Sequence, residues 1–429
     1  MVDEKKGKAF FLIFGLYLMV YFYLGVLPAN IDSFLQNLPG ATQLGVGLAI
    51  TFSLLTGTIS MLIFGYFGGR IAQRITRKTL FIITNSIWIS ANAIISISPN
   101  YNFFLCFFLI AAIGNGAFLP IGFAIIGDLY RAEERGNKFG FMQLGLLLGN
   151  GLGVVIGGII GWRGGFLTAS VLGLLVLIGY GRYGINVDTK SYDSNEIQVY
   201  NYKITFRDLI QLFKIKTVIG ILLFVVCSGI ATSTLANWSV FYLNLKLGNK
   251  GMAIILYLIA GLGALPGAVM GGSLGDIYFQ LGRVKGRVIV SMVGVICGTI
   301  LLLGFYLSPF ILFGLAGFFF AFFSTGNQFA IFSDVTTPKL RGTVNSMSGI
   351  MTNIGGIMGN LLVSTLIQTN IHMISISIVI VLVIWLAGSV LWIVPYYYYP
   401  NELKKRKRTM PSQGEKLKAN SVIKITAKD

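Results

Sequence analysis

The chain has 429 residues, 55% of them hydrophobic and only 11% charged, with a formal net charge of +18. A soluble domain carries about 25% charged residues, so this much apolar side chain excludes an ordinary water-soluble enzyme and a disordered chain alike. The 54 glycines lie inside apolar runs rather than in linkers, and glycine is commoner in membrane-spanning helices than in soluble ones.

A helix crosses a bilayer with about 20 mostly apolar residues. Twelve such runs follow in chain order, at residues 9–29, 44–68, 79–98, 103–127, 139–161, 165–182, 217–243, 250–274, 288–307, 309–333, 344–368 and 371–396. Barrel strands would alternate over about ten residues, and these runs do not. The first, Ala9 to Pro28, is too long for the core of a signal peptide and lacks a clear cleavage site, so it reads as the first span. The expected organisation is a bundle at 1–182, a cytoplasmic linker at 183–216, a second bundle at 217–398 and a basic cytoplasmic tail at 399–429. Cys106, Cys227 and Cys297 sit in apolar runs without metal-site spacing, and read as small hydrophobes.

Lys and Arg collect on the cytoplasmic side of a membrane protein. With both termini cytoplasmic, all but three of the 33 basic residues fall on that side; Arg163, Lys246 and Lys250 are the exceptions. The chain is therefore expected to be a multi-pass protein of the plasma membrane, and its charge is first a topology signal. The run Lys404–Arg408 also suits anionic lipid headgroups, at about 1 kcal/mol per basic residue. It has no interleaved aromatics and no folded module to carry it, so nucleic acid is not an expected partner.

The two halves repeat. Asp128 with Arg135-Gly136 after span four recurs, at the same internal spacing, as Asp334 with Arg341-Gly342 after span ten. Gly149 and Gly153 recur as Gly355 and Gly359. The loop Gly69–Lys78, after span two, has a partner beginning at Gly272 and containing Asp276, with an insertion before Arg283. Six spans separate the copies, so both halves share one orientation, as in a parallel repeat about an axis along the membrane normal.

Across essentially its whole length the sequence resembles the major facilitator superfamily. Gly69–Lys78 is similar to the family's loop motif G-x-L-A-D-R-x-G-R-K, with Gln73 where Asp is usual and Thr76 where Gly is usual. Gly149-x-x-x-Gly153-Val154-x-x-Gly157-Gly158 resembles its antiporter motif, with Val154 in place of proline. The resemblance implies an all-α polytopic fold of twelve transmembrane helices in two parallel six-helix repeats, and a monomer.

The charged loops place Asp and Arg at the ends of helices, where pairing with each other and with helix dipoles contributes about 0.3–1 kcal/mol per exposed contact. Gln73, Arg74, Arg77, Asp128, Arg135, Asp276, Asp334 and Arg341 are the expected latches of a rocking motion. The glycines Gly145, Gly149, Gly153 and Gly157 form a ridge suited to close helix packing.

The resemblance also implies that helices one, four, seven and ten line a central cavity. Their polar candidates for substrate contact are Tyr21, Asn115, Asn237, Trp238, Asn327 and Gln328. Each amide suits an interhelical hydrogen bond as well as a ligand. No acid or base lies mid-span, and Asp32, beside the outer end of span one, is the one candidate coupling group. A solvated loop carboxylate is the preferred reading of it. The substrate is then a small neutral or amphipathic organic solute. Alternatives are an exporter of drugs or lipid-like amphipaths, and a sensor without transport. A membrane enzyme would need clustered acids, His or Cys. A single histidine, His372, is present, so no catalytic residue, cofactor or metal is expected.

Overall fold

A computed structural model describes residues 2–130, 132–186, 212–336 and 340–409. Most of the expected linker and tail lies outside the described residues. Those described form helices throughout: α1 (Val2–Val26), α2 (Ile31–Asn37), α3 (Gln43–Arg74), α4 (Arg77–Ile95), α5 (Tyr101–Leu129), α6 (Ala132–Tyr183), α7 (Lys216–Leu247), α8 (Lys250–Gly261), α9 (Ala264–Gln280), α10 (Gly286–Leu307), α11 (Ile311–Ala321), α12 (Phe323–Val335), α13 (Arg341–Thr369), α14 (Met373–Gly388) and α15 (Ile393–Thr409). Short polar side chains start several of them by taking up free backbone N–H groups. The Thr42 hydroxyl accepts from the Gly45 N–H at 3.0 Å, and the Asn100 carbonyl oxygen accepts from Phe103 at 3.0 Å.

Among the described residues, eleven helical stretches are long and apolar enough to cross a membrane, where the sequence predicts twelve. The difference lies in Leu144–Tyr183, a single stretch 40 residues long. Gly161 interrupts it with φ 79° and ψ 168°, a conformation essentially reserved for glycine. The chain reverses there. Gly145 faces Phe14 and Tyr17, Gly153 faces Phe22 and Gly157 faces Val26; past the turn, Gly165 is again beside Val26 and Gly179 beside Leu12. Contacts that climb α1 and then descend it identify a helical hairpin, so the fifth and sixth expected spans are both present.

The chain forms two compact units. The first joins Met1–Tyr202 to Gly229–Ile259 and Thr352–Val381. Its core is the α1–α6 crossing, where glycine lets two backbones approach closely, together with buried aromatics. Tyr23 stacks on Trp88 at 5.7 Å between centroids, and Phe34 meets Phe104 and Trp162 edge-on. The second unit joins Lys203–Ser228 to Ala260–Met351 and Leu382–Asp429. There Gly263, just ahead of α9, and Gly267 and Gly271 within it run along Leu315, Phe319 and Phe323, while Gly298 of α10 abuts Ala321. Large apolar side chains also point away from the protein, with Ile159 77% and Leu281 69% exposed. Soluble monomers rarely show so many together; acyl chains would cover them.

Candidate functional site

Within the first unit, the end of α1 turns through Pro28–Asn30 into α2, and two polar links form there. Asn30 is fully buried. Its amide donates to the carbonyls of Val26 (2.9 Å) and Gly157 (2.8 Å), while its side-chain oxygen accepts from the Lys250 ammonium at 2.9 Å. Asp32 is half-buried and accepts from the Asn244 amide at 2.6 Å. The candidate coupling carboxylate is thus held by a neutral partner.

The same unit contains a chain of amides and hydroxyls. Asn353 donates to Thr58 at 2.7 Å, and Thr58 to the Leu54 carbonyl at 2.8 Å. The Trp238 indole N–H donates to Asn360 at 3.0 Å, and the Asn360 amide donates to Ser233 at 2.9 Å and to the Gly356 carbonyl at 2.7 Å. Trp238 is completely buried, so its polar atom is used in fixing α7 to α13. Tyr21, Asn115 and Asn237 are each half-buried. Tyr21 lies against the Tyr17 ring at 4.9 Å, and Asn237 folds back onto the Ser233 carbonyl at 2.8 Å.

In the second unit, Asn327 and Gln328 are both buried. Asn327 donates to the carbonyls of Gly271 (2.9 Å) and Phe323 (3.1 Å), and Gln328 donates to the Ser348 hydroxyl at 2.6 Å. Gly275 faces the Asn327 carbonyl oxygen and could carry no side chain beside it. These two amides therefore bind α12 to α9 and to α13. Asn92, Asn353 and Asn360 are not among the candidates the sequence predicts. Asn92 is fully buried on α4, with both polar atoms free of hydrogen-bond partners. An amide within an apolar run is a sufficient signal, but these three lie on expected spans three and eleven rather than on one, four, seven or ten.

The helix-end charges are paired within each unit. Arg77, the first residue of α4, binds Asp128 at the end of α5. Arg287, near the start of α10, reaches Asp276 (2.5 Å) and Asp334 (2.5 Å) at once, and Tyr399 donates to the same Asp334 carboxylate. Arg406 donates to the Ser333 and Asp334 carbonyls. Arg287 was not among the expected latches, although it is the counterpart of Arg77: each opens the third helix of its half and grips the repeated Asp. The insertion ahead of Arg283 breaks the fixed spacing that would have paired them. Arg74 and Arg341 are exposed at helix ends. The side chains of Gln73 and Arg135 lie outside the described residues.

The sequence profile of the Major Facilitator Superfamily matches residues 9–359. The citrate exporter 1 of Aspergillus niger is 34% identical over 155 residues, covering 33% of this chain and 30% of that protein; the match thus spans under a third of that relative's length. Multidrug resistance protein 3 of Bacillus subtilis (strain 168) is 24% identical over 369 residues, covering 71% of this chain and 69% of that protein. Among solved structures, a bacterial homolog of the human lysosomal transporter Spinster, in an inward-facing and occupied conformation, superposes with a TM-score of 0.75 at 15% identity, covering 92% of this chain and 97% of that one. The D-xylose–proton symporter gives 0.68, also at 15% identity, over 90% and 96%. These structural likenesses carry the fold alone. With the profile spanning most of its length and an all-helical membrane architecture beneath it, the chain belongs to the Major Facilitator Superfamily, a family of secondary transporters and not of enzymes.

Proposed function

We propose that this transporter carries a small neutral or amphipathic organic solute across the plasma membrane by alternating access between its two halves, with both termini in the cytoplasm. One observation carries the reading. Among the described residues, charged side chains such as Asp32, Arg77, Asp128, Lys250, Asp276, Arg287 and Asp334 sit near helix ends, and the polar groups deeper in the spans are amides and hydroxyls. A buried cation would favour an anionic cargo, and a buried carboxylate would favour proton coupling. Amides and hydroxyls offer matched donors and acceptors to an uncharged ligand. Tyr21, Asn115 and Asn237, half-buried rather than fully enclosed, are the first candidates to meet it; Arg77–Asp128, and Arg287 with Asp276 and Asp334, brace the helix ends within each half.

Efflux of an amphipath is the second reading. The glycine ladder of α6 and the match to the Bacillus subtilis multidrug resistance protein support it.

Purified protein in liposomes should take up one or more members of a panel of labelled sugars, nucleosides, neutral amino acids and amphipathic drugs. Uptake should saturate and should survive Asp32→Asn. Saturable flux confined to carboxylates such as citrate would overturn the neutral-cargo reading. Steep proton-driven flux that Asp32→Asn leaves intact would overturn the reading of the charges, in which Asp32 is the one candidate coupling group. No flux for any member would favour a sensor.

A further inference from the structure

The second unit carries a groove of about 930 Å³ between α9, α10 and α15, with α11 and α12 beneath. Neither Arg287, Asp276 and Asp334 nor the amides Asn327 and Gln328 are among the residues that line it. Its mouth is the turn Gly282–Gly286, where Gly282 adopts φ 79°, and it carries Arg283 and Lys285, with Lys404 opposite on α15. Among the described residues none of these three cations has a carboxylate partner. Lys285 instead sits over the Tyr396 ring, 3.9 Å from its centroid.

Past the mouth the groove turns apolar. Ile289, Val293 and Cys297 form its open wall, and Phe320 and Phe323 its floor. Ile289 and Val293 are 43% and 49% exposed. From Gly286 to Cys297 the helix rises about 16 Å, and one leaflet contributes half of a hydrocarbon core of about 30 Å. Basic residues and tyrosines at the mouth suit the headgroup level, and the apolar wall suits an acyl chain.

We propose that this groove is a binding site for an anionic glycerophospholipid, with its phosphate held by Arg283, Lys285 and Lys404 and one acyl chain lying along α10. The site is independent of the cargo reading and is measured without any transport.

Native mass spectrometry of the purified full chain provides the test, with dioleoyl phosphatidylglycerol as the probe and dioleoyl phosphatidylcholine as the uncharged-headgroup comparison. Phosphatidylglycerol should be retained preferentially. Each of Arg283→Gln, Lys285→Gln and Lys404→Gln should weaken retention about fivefold, and the triple variant about a hundredfold. Val293→Trp should weaken it with every charge intact, by filling the chain groove. Lys5→Gln with Arg182→Gln and Lys214→Gln removes as much charge elsewhere and should change little. The single variants carry the test should the triple fail to purify. Equal loss in the triple variant and the control set would overturn the site. So would equal retention of both lipids, or undiminished retention in Val293→Trp. Free glycerol phosphate competing as well as the intact lipid would also overturn it, by reducing the groove to an anion site.

Discussion

Arg287→Gln should destabilise the protein by about 2–3 kcal/mol and cut transport at least tenfold. The Arg287 side chain is only 11% exposed, and its guanidinium holds two carboxylates, Asp276 and Asp334. Removing it takes away the cation that joins two like charges, and breaking a buried pair costs about 3–5 kcal/mol. Asp276 is half exposed, so water recovers part of that cost. Arg77→Gln is the internal comparison. It breaks a single pair whose partners are 25% and 30% exposed, and about 1 kcal/mol is expected. Arg287→Lys should fall between, because an ammonium keeps the charge and loses the fork that spans both acids. Thermal unfolding in detergent gives the ranking directly. Equal effects of Arg287→Gln and Arg77→Gln would show that the second carboxylate adds nothing.

Gly153 should tolerate no side chain. An added Cβ would overlap the Phe22 carbonyl oxygen of α1, and a backbone cannot swing aside as a side chain can. Gly153→Ala should cost about 1–3 kcal/mol, and Gly153→Leu should prevent accumulation of folded protein in the membrane. Gly151 is two residues away on the same helix, and its nearest neighbour would be Leu258 at 3.7 Å, an ordinary contact. Gly151→Ala should therefore be neutral or stabilising by up to about 1 kcal/mol. Expression and melting temperature of the two alanine variants separate close packing from any general aversion of α6 to alanine. Equal behaviour would remove the packing role of the ladder.

The spans and the repeat were legible because both are written in one dimension. Hydropathy marks length, and recurring Asp128/Asp334 and Gly149/Gly355 mark the duplication. The glycine ladder was legible for the same reason: a residue every four places stays on one face of a helix. What the chain did not reveal is partner choice. Nothing in the spacing of Trp238 shows that its indole is aimed at Asn360, because that depends on how α7 and α13 are rotated. Arg287 looked like one loop cation among several until Asp276 and Asp334 were seen to converge on it. The hairpin at Gly161 shows the reverse case, where two apolar runs that the sequence separates are joined by one glycine in a conformation other residues avoid.

Alternating access is tested most directly by counterflow. Liposomes loaded with a high concentration of unlabelled solute, chosen from the uptake panel, are diluted into a trace of the labelled form. A carrier whose site faces one side at a time returns with labelled solute after each release, so label should rise above its equilibrium level and then decay, and Arg287→Gln should flatten the overshoot. Label that climbs only to equilibrium, at a rate linear in concentration, would mean an open path through the membrane and would contradict the account.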